Sequence, residues 1–487
     1  MRKYFLFLSI LILFSFPNIF GMNNLALTDI SPEDFFGHDI ATIGDVDGDG
    51  ITDMAVGAPY DDDGGESHGA VYILFLNSDG TVKNSQKISS TEGNFQETLD
   101  PYDAFGRAIS SIGDFDDDGI TDIVVGAYHD DDGGYNTGAV YILFLNSDGT
   151  VKNSQKISST EGNFQGIIDS GDCWGNAITS LNDFDGDGIT DIAVGAHKNY
   201  SPGSEMKRVG AVHILLLNSD GTVKSSQEIS DTQGNFDALN ENDIFGIDLV
   251  NLSDINNDGI TDIAVGAHGD SENGFSRGAV YILFLNSDGT VKSYEKINSN
   301  QKNFSDQLDD SDMFGTSLSN IGDINNDGIT DIAVGAPGDD DTLWLPETMF
   351  EQNKGSSRGA VYILSLNSDG TVKDSQKISS TEGNFQQNLQ TQDAFGFALS
   401  ELSDINNDGV VEIVVGSPHR YYFDSELSPV HLLQLEKNGI VKSFETIPPE
   451  KNTEINYNVF YLLMIPFAFI FIFLIIIKIK HRIAIQK

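Results

Sequence analysis

Six short segments of the sequence carry oxygen-bearing side chains at alternate positions. They read DVDGDGITD (45–53), DFDDDGITD (114–122), DFDGDGITD (183–191), DINNDGITD (254–262 and 323–331) and DINNDGVVE (404–412). Side-chain oxygens at positions 1, 3 and 5, a backbone carbonyl at position 7 and a carboxylate at position 9 suit the flexible oxygen shell of Ca²⁺. Glycine at position 6 permits the sharp turn that such a shell needs. The sequence therefore predicts one calcium site per segment, six in all.

The predicted ligands occupy equivalent positions in every loop. They are Asp45, Asp47, Asp49, Ile51 and Asp53; Asp114, Asp116, Asp118, Ile120 and Asp122; Asp183, Asp185, Asp187, Ile189 and Asp191; Asp254, Asn256, Asp258, Ile260 and Asp262; Asp323, Asn325, Asp327, Ile329 and Asp331; and Asp404, Asn406, Asp408, Val410 and Glu412. The isoleucines and the valine would contribute only their backbone carbonyls.

Other interpretations of these segments are weaker. None contains Cys or His, which disfavours zinc and copper, and Mg²⁺ prefers a near-octahedral shell with retained waters. Clusters of Asp, Asn and Gly also form ordinary turns, but six copies with one ligand spacing favour metal sites. Position 3 is Asp in the first three loops and Asn in the last three, so we expect tighter binding in the first three. Glu412 is one methylene longer than Asp, which makes the sixth loop the expected weakest site.

The acidic loops recur about every 70 residues, a period typical of repeat folds. One stretch, GAVYILFLNSDGTVKNSQKISSTEGNFQ, occurs identically from Gly69 and from Gly138. In the second repeat, RAISSIG precedes the acidic loop, and β-rich runs follow it at 123–127, 139–145 and 150–157, the last two joined by an Asp-Gly turn. Four short strands per repeat, without helical periodicity, predict propeller blades.

The expected fold is therefore an all-β propeller of four-stranded antiparallel sheets over residues 35–447. The repeats cover about 35–96, 104–165, 173–236, 244–304, 313–385 and 394–447. Six blades is the direct count and seven is the alternative. A parallel β-helix is the rival architecture, but its coils repeat every ~20–25 residues. The last repeat has its own fourth strand (439–447), so we expect no exchanged strand to close the ring.

Both ends of the chain are apolar. Arg2 and Lys3 precede an apolar run to Phe16, as in a secretory signal peptide. Near the C-terminus, an uninterrupted apolar run is long enough as a helix to cross a bilayer, and basic residues follow it; a buried core helix is the alternative. The expected segments are a signal peptide (1–21), a lead-in (22–34), a juxtamembrane linker (448–458), a transmembrane helix (459–477) and a cytoplasmic tail (478–487). The propeller would then lie outside the cell, on a single-pass membrane protein.

Charge and cysteine content limit the class of protein. The chain has 74 acidic and 27 basic residues, a formal charge of −47. Nucleic acid is excluded as a partner because a phosphate backbone requires a basic footprint. Hydrophobic residues make up 39% of the chain, which argues against a wholly disordered acidic protein. A single cysteine, Cys173, excludes an intramolecular disulfide framework, so the fold needs another stabilising device.

A second motif flanks each acidic loop. An aromatic-Gly pair precedes it, beginning at Phe36, Phe105, Trp174, Phe245, Phe314 and Phe395, and Gly-Ala-Pro or a variant follows it, beginning at Gly57, Gly126, Gly195, Gly266, Gly335 and Gly416. The combined pattern resembles the FG-GAP repeats of the integrin α-subunit propeller over about residues 35–447. The resemblance implies a calcium-stiffened propeller for cell-surface recognition, with the loop ligands given above. The resemblance is incomplete, because the integrin propeller has seven blades and six are counted here. Integrins also carry inserted and leg domains that have no counterpart among these repeats.

The blade topology also predicts two different faces. The acidic loops and the turns between third and fourth strands share one face, and the loops between second and third strands share the other with the inter-blade links. The second-to-third-strand loops differ most between repeats, which favours a partner-binding face; surface loops that diverged without function after duplication are the alternative. Its candidate aromatic anchors are Tyr421, Tyr422, Phe423, Trp344 and Phe350.

The function favoured by these observations is a calcium-stabilised cell-surface recognition or adhesion protein that binds an extracellular protein or glycan. A secreted-side hydrolase acting on phospholipid or glycan, and an inert surface scaffold, are the alternatives. We expect no enzyme, because His residues recur at equivalent repeat positions and form no unique catalytic group: His129, His197, His268 and His419. Asn-x-Ser sequons, possible glycosylation sites, begin at Asn199, Asn251 and Asn303.

Overall fold

The computed structural model describes residues 30–447 except 78–81, 200–207, 273, 302–303, 305–307, 341–356, 388, 390–391, 404–409 and 418–429. The expected signal peptide, transmembrane helix, cytoplasmic tail and aromatic anchors lie outside the described residues, as does the first part of the sixth acidic loop. Within the described ranges, no helix has the length and apolarity needed to span a bilayer.

Every repeat folds into a four-stranded antiparallel sheet whose strands pair in chain order, which confirms the six-bladed propeller. A short 3-10 helix (Pro32–Asp34) precedes the first blade. The strands are β1 (Ile40–Thr42), β2 (Met54–Ala58), β3 (Ala70–Leu76), β4 (Val82–Ile88), β5 (Phe105–Gly113), β6 (Asp122–Ala127), β7 (Ala139–Leu145), β8 (Val151–Ile157), β9 (Trp174–Asn182), β10 (Asp191–Ala196), β11 (Ala211–Leu217), β12 (Val223–Ile229), β13 (Phe245–Ser253), β14 (Asp262–Ala267), β15 (Ala279–Leu285), β16 (Val291–Ile297), β17 (Leu318–Asn320), β18 (Ile332–Ala336), β19 (Ala360–Leu366), β20 (Val372–Ile378), β21 (Ala398–Ser403), β22 (Val411–Gly416), β23 (Val430–Leu435) and β24 (Val441–Ile447).

Strand composition explains the order of the strands within a blade. The third strands are mostly or wholly buried and pair on both edges; β7, with the sequence AVYILFL, is buried along its whole length. A continuous apolar run of β-branched and aromatic residues suits such a central position. The fourth strands, such as β8 with the sequence VKNSQKI, are buried at their ends and exposed or half-buried between them, as expected of an outer edge.

The hydrophobic core lies between adjacent blades. In the cluster between blades 1 and 2, Ile73 and Phe75 of β3 pack with Phe105 and Ile109 of β5. The ring of Phe105 also contacts Tyr141 of its own blade, at 5.6 Å between centroids. The aromatic residue of the FG motif is therefore a core residue that seals one blade to the next.

The glycines of the two motifs explain how closely the blades approach. A Cβ added to Gly126 would lie 2.0 Å from the carbonyl oxygen of Gly175, and one added to Gly57 would lie 2.0 Å from that of Gly106. Since Cβ atoms essentially never approach a backbone oxygen so closely, only glycine fits at these contacts. The GAP glycine of one blade thus packs on the FG glycine of the next.

The ring closes by packing between blades 6 and 1. Each sheet contains only strands of its own repeat, so no strand is exchanged. Leu402, Val414 and Leu432 of the last blade share a core cluster with residues of the first. The Ser400 hydroxyl donates a hydrogen bond to the carbonyl oxygen of Ile40, at 3.0 Å.

Candidate calcium centres

Each acidic loop connects the first and second strands of its blade. In the first blade, the base of the loop is closed by two backbone hydrogen bonds, from Ile43 to the Asp53 carbonyl (3.0 Å) and from Asp53 to the Gly44 carbonyl (2.6 Å). The residue at position 2 anchors the loop to the core. Val46 is fully buried in the first blade, and Phe115 is almost fully buried in the second. The loop thus begins and ends on rigid strands.

The carboxylate at position 1 organises the turn. Asp114 accepts backbone N–H hydrogen bonds from Asp118 (2.9 Å) and Gly119 (2.8 Å). The carboxylate at position 5, Asp118, accepts the N–H of Ile120 at 2.9 Å. These hydrogen bonds curl the loop around its own side chains and fix the direction of their oxygens.

The aspartate at position 9 links the loop to the third strand. Asp122 accepts the N–H of Phe115 (3.0 Å) on one oxygen and the N–H of Leu145 (2.9 Å) on the other. It is fully buried, and this burial raises its pKa to about 6 against the opposing effect of the two hydrogen bonds. A cation bound beside this carboxylate would offset the hydration that it loses on burial.

Three loops bring carboxylate oxygens from positions 1, 3 and 9 together. In each, the three oxygens lie within 4.8 Å of one another: Asp45, Asp47 and Asp53; Asp114, Asp116 and Asp122; Asp183, Asp185 and Asp191. Calcium–oxygen bonds of about 2.3–2.6 Å place opposite ligands about 5 Å apart, so these oxygen sets fit a calcium ion. They belong to the three loops with Asp at position 3, for which the sequence predicts the tightest binding.

The fourth and fifth loops have Asn at position 3 and repeat the backbone hydrogen bonds to the position-1 carboxylate. The Asn256 amide nitrogen lies 3.2 Å from an Asp262 oxygen, and that of Asn325 lies 3.0 Å from an Asp331 oxygen. These amides hydrogen-bond the carboxylate that the predicted metal would share. In the sixth loop only Val410 and Glu412 of the predicted ligands fall within the described residues.

Sequence reasoning missed a lysine beside these loops. The second residue of a fourth strand contacts the acidic loop of its own blade: Lys152 Nζ lies 2.6 Å from carboxylate oxygens of both Asp116 and Asp118. These hydrogen bonds raise the lysine's pKa. Equivalent contacts are made by Lys83, Lys224, Lys292 and Lys373. The repeated TVK sequence could have signalled them.

A second buried polar cluster, also missed, lies at the other end of the same strands. Lys156 Nζ lies 2.8 Å from Asp130 and 2.7 Å from Asp132, and the Tyr141 hydroxyl donates to Asp130 at 3.0 Å. Burial, with the Asp130 charge as a lesser cause, raises the pKa of neighbouring Asp103 to about 7. Equivalent Lys–Asp pairs occur at Lys87–Asp61, Lys296–Asp270 and Lys377–Asp339.

The face opposite the acidic loops exposes large apolar side chains. Tyr135 and Phe275, in second-to-third-strand loops, are 73% and 70% exposed. On the inter-blade links, Tyr102 is 52% and Ile167 is 71% exposed. Among the described residues only one other large hydrophobic side chain is exposed, Tyr294 on β16, so exposure is concentrated on one face.

A cysteine, a histidine and a sequon residue considered in the sequence are packed within the blades. Cys173 is buried, and so is His197 just after β10. Asn251, which begins a sequon, lies in the inner strand β13 and donates its side-chain amide to the Ser180 carbonyl at 2.7 Å. A glycan on that nitrogen would break this contact between blades. The fold is a six-bladed propeller, and in the five blades whose acidic loop is fully described this loop joins the first and second strands.

Known proteins share this pattern. Residues 36–74, 105–143 and 314–364 match the FG-GAP repeat, and residues 183–265 match the FG-GAP-like repeat. The chain therefore contains FG-GAP repeats, and its propeller is similar to that of integrin α subunits.

The similar relatives are much longer than the matched region. Integrin alpha-3 of Cricetulus griseus is 32% identical over 218 residues, which cover 43% of this chain and 17% of that protein. Integrin alpha-2 of Mus musculus is 35% identical over 166 residues, 33% of this chain and 13% of that protein. Integrin alpha-PS5 of Drosophila melanogaster is 35% identical over 183 residues, 36% of this chain and 15% of that protein. The likeness is thus confined to a small part of each relative.

Proposed function

We propose that this protein is a calcium-stabilised adhesion receptor that displays its propeller outside the membrane and binds an extracellular protein or glycan. The observation that carries the proposal is the set of carboxylate triads in the first three loops, on a propeller similar to that of integrins. Calcium would bind one ion per loop, through the ligands predicted from the sequence. The apolar segments at 1–21 and 459–477 support a secreted, membrane-anchored topology.

Calcium and partner binding use opposite faces in this proposal. The metal loops stiffen the ends of the first and second strands, while the exposed aromatic side chains of the other face supply contact area. Aromatic residues dominate the energetics of protein interfaces because they bury much surface at little entropic cost. Tyr135 and Phe275 are the residues that we assign to partner contact, together with Tyr102 and Ile167.

The proposal can be tested by measuring the adhesion of cells that display the full-length chain to cells that lack it. We expect adhesion in calcium, its loss in chelator, and its loss in the double variant Tyr135→Ser/Phe275→Ser with the melting temperature unchanged. Tyr294→Ser is the matched control, since this exposed tyrosine lies on an outer strand. Calcium at 100 times its dissociation constant would add about 2.7 kcal/mol per site to the unfolding free energy. A melting temperature that calcium does not raise refutes the metal role, and adhesion that survives the double variant refutes the assigned face.

A further inference from the structure

The lysine beside each acidic loop shares oxygen atoms with the predicted metal. Lys152 Nζ lies 2.6 Å from Asp116 and 2.6 Å from Asp118, the side chains at loop positions 3 and 5. Lys224 contacts Asp185 and Asp187 in the same way, both at 2.6 Å. Lys83 repeats the arrangement in the first blade, contacting Asp47 at 2.7 Å and also Asp49.

The fold places this lysine beside the loop. Leu145, the last residue of β7, donates its N–H to Asp122 at loop position 9 and pairs with Val151 in β8. Val151 is buried, so the next residue, Lys152, points away from the core and towards the loop carboxylates. One strand end thus fixes both the deepest metal ligand and the lysine.

The number of carboxylates that the lysine contacts differs between blades, and it follows the residue at loop position 3. In the fourth and fifth loops position 3 is Asn, and the lysine contacts position 5 alone: Lys292 with Asp258 at 2.7 Å and Lys373 with Asp327 at 2.5 Å. The lysine therefore binds two carboxylates where the loop has four and one where the loop has three. Its contacts follow the negative charge of the site.

An ordinary surface ion pair adds about 0–1 kcal/mol to the unfolding free energy, and its carboxylate has no second cation to bind. These pairs differ because an ammonium group and a calcium ion require the same lone pairs on the same oxygens. Calcium coordination at positions 3 and 5 must weaken the lysine contacts, and the lysine charge must weaken calcium binding.

We propose that the fourth-strand lysine is a tethered cation that competes with calcium, holding the loop together when calcium is absent and lowering its calcium affinity. The inference rests on the proposed calcium sites and names how they are regulated. A charge of +1 about 4 Å from a divalent ion in a solvated site, partly screened by salt, corresponds to about a tenfold change in affinity. At each of these five loops, calcium would then bind only at a concentration high enough to displace that loop's lysine.

The test replaces the lysine in all five described loops of the full-length protein. Lys83, Lys152, Lys224, Lys292 and Lys373 become Met in one variant and Arg in a second, and the calcium concentration at half-maximal thermal stabilisation is measured. The Met variant should need about tenfold less calcium and should melt below the wild type in chelator. The Arg variant keeps the charge and should stay near the wild-type midpoint. Lys437→Met is the matched control, because Lys437 is exposed in a turn on the same face.

The outcomes separate this proposal from the proposed function. A wild type stabilised by calcium with an unchanged midpoint in the Met variant overturns the competition and leaves the calcium sites in place. A wild type that ignores calcium, beside a Met variant that responds to it, supports the competition and overturns the calcium role of the native protein. Calcium without effect on either protein overturns both. If the Met variant fails to fold, the single variant Lys152→Met, followed by terbium luminescence, must show the same tighter binding.

Discussion

The buried cluster of Lys156, Asp130 and Tyr141 allows a quantitative test of how a blade is stabilised. The lysine side chain is only 10% exposed and that of Asp130 3%. Lys156→Met keeps the aliphatic length and removes the charge, which leaves Asp130 buried without its counter-ion. Breaking a buried pair in this way is expected to lower the unfolding free energy by about 3–5 kcal/mol.

The measurement is urea unfolding of the full-length protein in chelator, so that calcium binding does not mask the loss. Lys437→Met, in an exposed turn, is the control and should change the unfolding free energy by less than about 0.5 kcal/mol. The double variant Lys156→Met/Asp130→Asn should recover much of the loss, because it removes the uncompensated charge. A loss below about 1 kcal/mol for Lys156→Met, the value of an exposed pair, would refute the argument from burial.

The remaining predictions concern backbone packing and pH. Gly126→Ala should lower the unfolding free energy in urea by about 1–3 kcal/mol or more, because the added Cβ would meet the Gly175 carbonyl. Gly416→Ala is the control and should lower it less, because the nearest atom to its added Cβ is 3.2 Å away. Equal losses in the two variants would contradict the contact between FG and GAP glycines. Burial, with the charge of Asp339 as the next cause, raises the pKa of Asp312 to about 8. The folded protein therefore holds a proton that the unfolded chain releases, so the unfolding free energy should fall as pH rises from about 4 to 8. Asp312→Asn should flatten that slope in urea midpoints taken between pH 5 and 8, and an unaltered slope would show that Asp312 is ionised in the fold.

The blades were predictable because their signals are local. Runs such as AVYILFL, bounded by glycine and by Asp-Gly turns, specify a strand without reference to the rest of the chain. The sequence also locates the acidic loops, since the predicted ligands of each loop lie within nine consecutive residues. The first strands were harder to delimit: β5 begins at Phe105, not after the Phe-Gly pair, because Phe105 pairs with Ala127 across the blade.

The polar clusters were not predictable in this way. Lys156 and Asp130 belong to different parts of a blade, and nothing in either local sequence says that they meet. The exposed side chains Tyr135 and Phe275 also escaped notice, because a single aromatic residue in a polar loop gives no sign of whether it packs inward. Such features depend on strand register and on the course of loops, which only the folded chain shows.

The fourth strand connects these observations. In VKNSQKI the two lysines, Lys152 and Lys156, are four residues apart and so project from the same side of the strand towards opposite ends of the blade. One neutralises the acidic loop and the other the buried aspartates of the opposite face.

The third blade shows that the second lysine and its aspartate change together. Glu228 stands at the position equivalent to Lys156, and Asn199 at that of Asp130, while His213 replaces the tyrosine and lies 4.0 Å from Glu228. A blade without the lysine thus also lacks the buried aspartate, as expected if the pair serves to neutralise that charge. Lys224 is kept in this blade and contacts two aspartates of its acidic loop. Among the described residues of this acidic protein, nine lysines are therefore counter-ions to aspartates of their own blade.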